Sequence, residues 1–200
     1  MASAIGFLKA IKGAVKLKHA LKKNTPPRIV VGASGVFEDG WIPTDVHTLN
    51  LLKPERWKLF LKVQSVEAIL AEHVWEHLTP SEGLIAAKTC YRYIMKGGYA
   101  RIAVPDGYHN KQEYIDYVKP GGSGAGADDH KILYTYKTLS KVFCDAGFKV
   151  KLLEYFDENG AFIYNEWDPS KGMIHRSKRF DERNNGGQLN YTSLIIDAFK

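Results

Sequence analysis

The residues able to do chemistry gather at the ends of apolar runs. Arg28 to Val31 is a β-branched stretch entered through Pro26 and Pro27, and it runs into Gly32-Ala33-Ser34-Gly35. A strand ending in such a turn lets main-chain N–H groups approach a ligand closely. Asp45 follows ten residues after Gly35 and closes a second short run, Trp41 to Thr44. A carboxylate there can accept hydrogen bonds from both hydroxyls of a ribose. The next central run, Ser65 to Ala71, leads into Glu72-His73-Val74-Trp75-Glu76-His77. Asp106, His109, Asp129 and His130 stand further on. The histidines titrate close to neutral pH and could take a proton from an acceptor hydroxyl.

His73 to His77 also reads H-x-x-E-H, a zinc-peptidase pattern. That chemistry needs both histidines on one helical face, with the glutamate beside a metal-bound water. Here the string precedes a helix start at Thr79-Pro80-Ser81-Glu82, so it falls on a strand-to-helix junction. No third ligand follows on a helix, and no metal is expected. A nicotinamide site would want G-x-G-x-x-G and an acid about 20 residues on. Gly32-Ala33-Ser34-Gly35 lacks the third glycine and the helix it should open.

The elements that must position these groups follow from spacing. Thr79 as N-cap, Pro80 at the first helical position and Glu82 at the third predict a helix carrying Leu84, Ala87, Tyr91 and Ile94 on one face. Gly97-Gly98 is expected to end it, with a strand from Tyr99 to Val104. Pro54 opens a short helix, and another helix is expected over Thr135 to Ala146. Phe148 to Tyr155, Ala161 to Trp167 and Gln188 to Phe199 are the last strand candidates. The long loop 107–129 holds a helical turn around Gln112 to Val118 and a glycine run from Gly121 to Gly126, and reads either as a mobile lid supplying acceptor contacts or as a disordered surface insertion. Alternating strands and helices predict an α/β sheet with helices on both faces and a ligand beyond the carboxyl ends of the strands. Between Val31 and Trp41 there is no room for a crossover helix, so the first βαβ units are compressed.

With 200 residues, 44% of them apolar and 25% charged, the chain has the size and composition of a globular protein with its own core. No apolar run approaches membrane-spanning length. The net charge of +6 is local: residues 1–28 carry seven lysines and arginines and no acid. Ser3 to Lys23 is predicted as a basic amphipathic helix with Ile5, Leu8, Ile11 and Val15 on its apolar side. This helix (1–27) is set apart from the body (28–200). It either packs on the sheet or a partner subunit, or meets an anionic membrane surface or nucleic acid. Cys90 and Cys144 read as buried free thiols, so a cytoplasmic setting is expected. Lys171 to Arg183 holds five basic residues and is either a solvated loop or an anion site.

Four stretches carry a resemblance that covers roughly Arg28 to Lys200. Val30 to Gly35 matches a glycine motif, and Gly40 to Asp45 resembles GW-x-x-x-D. Glu72 to Leu78 resembles EH-x-x-EH-L, and Gly97 to Asp106 resembles GG-x-x-R-I-x-x-PD. In this order they resemble the class I S-adenosylmethionine-dependent methyltransferases, specifically the small type 11-related group with a shortened N-terminal half. The resemblance implies a Rossmann-like sheet, mostly parallel with an antiparallel final strand, and S-adenosylmethionine as cofactor. It implies that Gly32 and Gly35 line the methionine moiety, that Ala33 and Ser34 also bind the cofactor, and that Asp45 holds the ribose. Asn50 and Leu51 would lie at the adenine, and Glu72 and His73 would face the cofactor. His73, His77, Asp106, His109 and His130 are the candidate catalytic groups. The expected activity is methyl transfer to a small-molecule or glycan-type acceptor, with no nucleic acid favoured. The alternative is a catalytically inactive Rossmann-like binding or assembly module.

Overall fold

The computed structural model describes residues 4–35 and 37–200, with side chains described from Lys12 onward apart from Val36. Seven strands form one sheet in the order β2-β1-β3-β4-β7-β5-β6. They are β1 (Arg28–Val30), β2 (Ile42–Pro43), β3 (Val66–Glu72), β4 (Ile94–Val104), β5 (Lys149–Phe156), β6 (Phe162–Tyr164) and β7 (Leu194–Phe199). β1 pairs in parallel with β2 and β3, and β3 with β4. β7 runs antiparallel between β4 and β5, and β6 forms a hairpin with β5. The sheet is therefore mostly parallel with an antiparallel final strand, as expected. Among the described residues of 33–40 there is no helix, so β1 reaches β2 through a bare loop.

Alternation along the strands divides the core in two. On one face Ile29, Ile69, Ile102 and Ile196 pack against Leu17 of α1 (Ala4–Lys23) and Trp57 of α2 (Pro54–Trp57). The same cluster takes in Cys90 of α3 (Pro80–Tyr93) and Phe143 of α5 (Tyr136–Asp145). On the other face Val30, Leu70, Ala103 and Ile195 pack against Trp41, Trp167 and Ile174. That second face corrects the expectation of helices on both sides: its cover is extended chain and single 3-10 turns, Pro169–Lys171 among them. The remaining helix, α4 (Gln112–Val118), buries Tyr114 and Val118 against Tyr191.

The second face carries a buried charge. Arg101 of β4 is 1% exposed and stands opposite Asp197 of β7 in the register. Its Nε and Nη2 donate to the two Asp197 carboxylate oxygens at 2.7 and 2.8 Å. Its Nη1 donates to the carbonyls of Asp168 and Gly172 at 2.9 and 2.7 Å. The guanidinium also lies 4.9 Å from the centre of the Trp167 ring. A helix would satisfy its own carbonyls along its length and leave only those of its last turn free for this guanidinium. The covering segment is held by the ion pair in place of a helical apolar stripe.

Local signals were mostly sound. Thr79 and Glu82 form a reciprocal capping box at the start of α3, and Thr135 and Thr138 do so for α5. Gly147, with φ +106°, follows α5. Three expectations change. α3 ends at Tyr93, and Gly97 (φ +81°) sits inside β4, beside the register shift between Val66 and Ala68, so it shapes a strand irregularity rather than a helix cap. Cys144 is exposed while Cys90 is buried. In α1 it is Leu17 that enters the core, and Val15 is 64% exposed; the side chains of Ile5, Leu8 and Ile11 lie outside the described residues. No helix among the described residues is long and apolar enough to cross a membrane.

Replacing Arg101 alone strands a buried carboxylate. Arg101→Met is expected to lower the unfolding free energy by about 3–5 kcal/mol in urea titrations. The double variant Arg101→Met with Asp197→Leu should recover most of that. A single-variant loss below about 1 kcal/mol would show that the pair does not hold this face.

Candidate active site

A cavity of about 380 Å³ opens beyond the carboxyl ends of β1, β3 and β4. The chain leaves β1 for β2 on one side and for β3 on the other, so the cavity sits at the point where strand order reverses. Open α/β sheets place their ligands there, and the volume falls in the range of small-molecule sites.

The first wall is the turn after β1. Val31, Gly32, Ala33 and Ser34 line the cavity. Gly32 has φ +66°, and a Cβ on it would come within 2.6 Å of Val74 Cγ2. Only glycine permits both that conformation and that approach. Gly35 (φ +89°) adjoins the turn without lining the cavity, and a Cβ there would meet nothing within 4 Å. Phe37 and Glu38 complete the wall, and Glu38 Oε1 reaches to 3.5 Å from His175 Nε2. Asp45, Asn50 and Leu51 are not among the lining residues. Asp45 Oδ1 instead accepts the N–H groups of His47 (2.8 Å) and Thr48 (3.1 Å), which fixes the turn after β2. Asn50 Oδ1 accepts from Leu52 N, and Leu51 is buried in the main core.

The second wall comes from the end of β3. Glu72 accepts the backbone N–H groups of His175 and Arg176 at 3.0 and 2.7 Å, tying segment 173–176 across the mouth. His73 has φ +55°, rare for a non-glycine residue and a mark of stored backbone strain. Its Nε2 is 3.0 Å from Ser193 Oγ and its Nδ1 is 3.0 Å from Glu76 Oε1. Glu76 and His77 follow on a 3-10 turn, Trp75–His77, and both line the cavity. Glu76 is fully buried.

The third wall is the 107–130 loop, which supplies Tyr117, Val118, Gly124, Ala125, Ala127 and His130. Its glycine run is packed: a Cβ on Gly122 or Gly124 would approach backbone carbonyls to 2.7 and 2.6 Å. His130 Nδ1 lies 2.7 Å from the Val118 carbonyl, and a carbonyl only accepts, so Nδ1 carries the hydrogen. His77 Nδ1 is 3.3 Å from Asp129 Oδ2, and the two rings meet edge to face at 4.8 Å. Arg176, Arg183 and Tyr191 finish the lining, with Arg183 3.4 Å from the centre of the Tyr191 ring. The basic stretch 171–183 announced the two arginines, whereas Glu38 and Tyr191 carried no local signal.

The structure therefore brings together Gly32, Ala33, Ser34, Glu72, His73, His77 and His130. Asp106 and His109 lie apart from the lining. Asp106 is fully buried and accepts the N–H groups of Tyr108 and Phe156 at 2.9 and 2.7 Å; burial raises its carboxyl to about 6. His109 is 5% exposed, stacks on Tyr114 at 3.9 Å and accepts from Lys111 N. Burial, then the nearby Lys111 charge, lowers it to about 4. Both fasten the start of the loop to the body.

An imidazole held down to about 4 when folded stays neutral while its unfolded counterpart protonates near 6.5. Its contribution is complete above about pH 6.5 and is lost as pH falls towards 4. Asp106 runs the other way, its burial costing least at the acid end of that window. Comparison with His109→Gln isolates the histidine. Between pH 6.5 and 4 the variant should lose roughly 2–4 kcal/mol less stability than the parent, read from chemical denaturation at each pH. Equal losses would show that His109 is not held neutral by the fold.

No family model and no curated protein sequence matches the chain. Its structure resembles a SAM-dependent methyltransferase from Archaeoglobus fulgidus, 16% identical, with 94% of this chain and 92% of that one covered and a TM-score of 0.45. It also resembles an S-adenosylmethionine-dependent methyltransferase from Mesorhizobium loti, 12% identical over 92% and 95%, TM-score 0.46. PigF with SAH aligns at a TM-score of 0.51 and 8% identity, over 89% of this chain and 51% of that one. The strand order, the switch point at β1 and the antiparallel β7 beside β4 make this the Rossmann-like fold of class I methyltransferases.

Proposed function

We propose that the chain is an S-adenosylmethionine-dependent methyltransferase acting on a small-molecule or glycan-type acceptor. One observation carries this reading: the switch-point cavity has a glycine-shaped wall on one side and three imidazoles on the other. The cofactor fits the first side. The turn at Gly32 to Ser34 brings main chain to the cavity surface, as an extended polar ligand requires. Glu38 and Glu72 place carboxylates around it, which suits a cationic sulfur. When bound, S-adenosylmethionine supplies a methyl group on a sulfonium and leaves as the neutral thioether.

What the protein must add is placement and removal of a proton from the acceptor. His77 and His130 each have Nδ1 committed, to Asp129 and to the Val118 carbonyl, which leaves Nε2 as the basic nitrogen. His73 is fixed at both nitrogens and orients the second wall. Arg176 gives the mouth a positive edge, favouring an acceptor with an anionic or hydroxyl-rich group, while Arg183 is paired with Asp181 at 2.6 Å. Tyr117, 42% exposed, offers a flat apolar face of the kind sugar rings and other small acceptors pack against, whereas the Tyr191 ring is covered by Arg183. The basic helix α1 gives the molecule a charged surface away from this chemistry, suited to an anionic membrane surface or a second subunit.

The ribose partner is the sharpest point to test. Asp45 was the acid expected there, yet Glu38 is the acid on this wall of the cavity. Glu38→Gln should weaken S-adenosylhomocysteine binding by about 1.5–3 kcal/mol in calorimetry, the scale of hydrogen bonds to a charged group. Asp45→Ala should leave that affinity intact while costing about 0.5–2 kcal/mol of stability through the lost turn. The reverse pattern would restore Asp45 as the ribose ligand, and no binding by the parent protein would favour the inactive binding module.

A further inference from the structure

Glu76 is fully buried, and neither of its carboxylate oxygens has a hydrogen-bond partner of good geometry among the described residues. Among the described residues its one ion-pair contact is with the His73 imidazole, whose Nδ1 approaches Oε1 at 3.0 Å. A buried carboxylate in that condition is expensive unless something else neutralises it. Its neighbours indicate what that is. A carboxylate oxygen of Glu76 and a ring nitrogen each of His77 and His130 lie within 4.8 Å of one another. All three residues line the cavity.

The imidazoles are prepared for the same task. A metal-bound histidine donates its other ring N–H to a carbonyl or carboxylate, which fixes the tautomer and raises ligand basicity. His130 makes that bond to the Val118 carbonyl at 2.7 Å, and His77 faces Asp129 Oδ2 at 3.3 Å. Nε2 is thereby the free lone pair on both rings. Asp129 is itself anchored by Lys131, Nζ to Oδ1 2.8 Å. Two nitrogen ligands, one carboxylate and room for water or substrate oxygens suit a divalent first-row transition ion. Ligand atoms around zinc stand roughly 3.3 Å apart in a tetrahedron with bonds of about 2 Å, so from separations of up to 4.8 Å the widest pair closes by about 1.5 Å on binding.

We propose that Glu76, His77 and His130 form a divalent-cation site on the floor of the cavity, with Asp129 and the Val118 carbonyl orienting the two histidines. The ion's open positions face the space assigned to the acceptor. Only that role rests on the methyl-transfer reading; the site does not. With the ion bound, an acceptor oxygen would be held and acidified by the metal, and His77 and His130 would act as ligands rather than bases. The pattern at His73 to His77 thus contributes two of the three ligands in a different combination: Glu76 and His77 join His130 from a distant loop, and His73 contacts Glu76.

The test uses the full chain stripped with chelator and titrated with ZnCl2 by calorimetry. CoCl2 is used in parallel, because its visible absorption reports nitrogen ligation and geometry. One zinc per chain with low-micromolar or tighter affinity is expected. His130→Ala, His77→Ala and Glu76→Gln should each weaken it tenfold or more, and His47→Ala, at an exposed histidine outside the cavity, should not. Absence of one-to-one binding in the parent, or affinity unchanged in both His77→Ala and His130→Ala, would overturn the site. S-adenosylhomocysteine binding by the metal-free protein is measured separately. Zinc binding without S-adenosylhomocysteine binding removes the methyl-transfer reading and keeps the site; the opposite result removes the site alone.

Discussion

The pairing of Arg101 with Asp197 governs how this small sheet is covered. A sheet buried on both faces usually has α-helices on each, and here the chain between β6 and β7 forms only two 3-10 turns. The guanidinium sits beneath that chain, answered by one carboxylate across the strand pair and by two carbonyls of the covering segment. Buried ion pairs of this kind stabilise little against an apolar replacement but are severe when one partner is missing. Their directional bonds also fix where an irregular segment lies, which apolar contact alone does less sharply.

The position of that segment determines the cavity. Carbonyls held at Asp168 and Gly172 leave Met173, His175 and Arg176 at the carboxyl end of β3, where Glu72 captures two successive N–H groups. The mouth of the site is therefore made by residues more than a hundred positions away from the glutamate that holds them. The 107–130 loop closes the opposite side. It is fixed by Asp106, by Tyr114, whose hydroxyl donates to the Thr192 carbonyl, and by turns that only glycine can make.

The buried acids fall into two groups. Asp106 and Glu154 accept backbone or side-chain donors, Asp197 is matched by Arg101, and Asp181 by Arg183. Those acids serve the fold. Glu76 has no such donor set and faces two imidazoles whose tautomers are fixed from behind. A buried carboxylate with a single imidazole contact, from His73, beside two oriented histidines is the arrangement of a site, because a fold gains little from a buried charge so weakly paired.

The sequence by itself determined the elements whose cause is local. The capping box at Thr79, the α4 span, the β-branched strands and the missing first crossover helix depend on residues within a few positions of one another. The glycine turn and the histidine-bearing strand end were legible for the same reason: ligand sites of parallel sheets lie at strand ends, and strand ends can be read from pattern. The motifs also pointed to the fold class that the strand order displays. Tertiary structure decided which polar residues meet. Asp106 and His109 have the chemistry of a site, but burial among Tyr114, Phe156 and main-chain donors makes them fasteners. Asp45 is occupied by its own turn. Glu38, Tyr191 and the meeting of His130 with Glu76 and His77 depend on chain paths fixed by a buried ion pair and by packed glycines, and neither long-range pairing nor burial is written in local spacing.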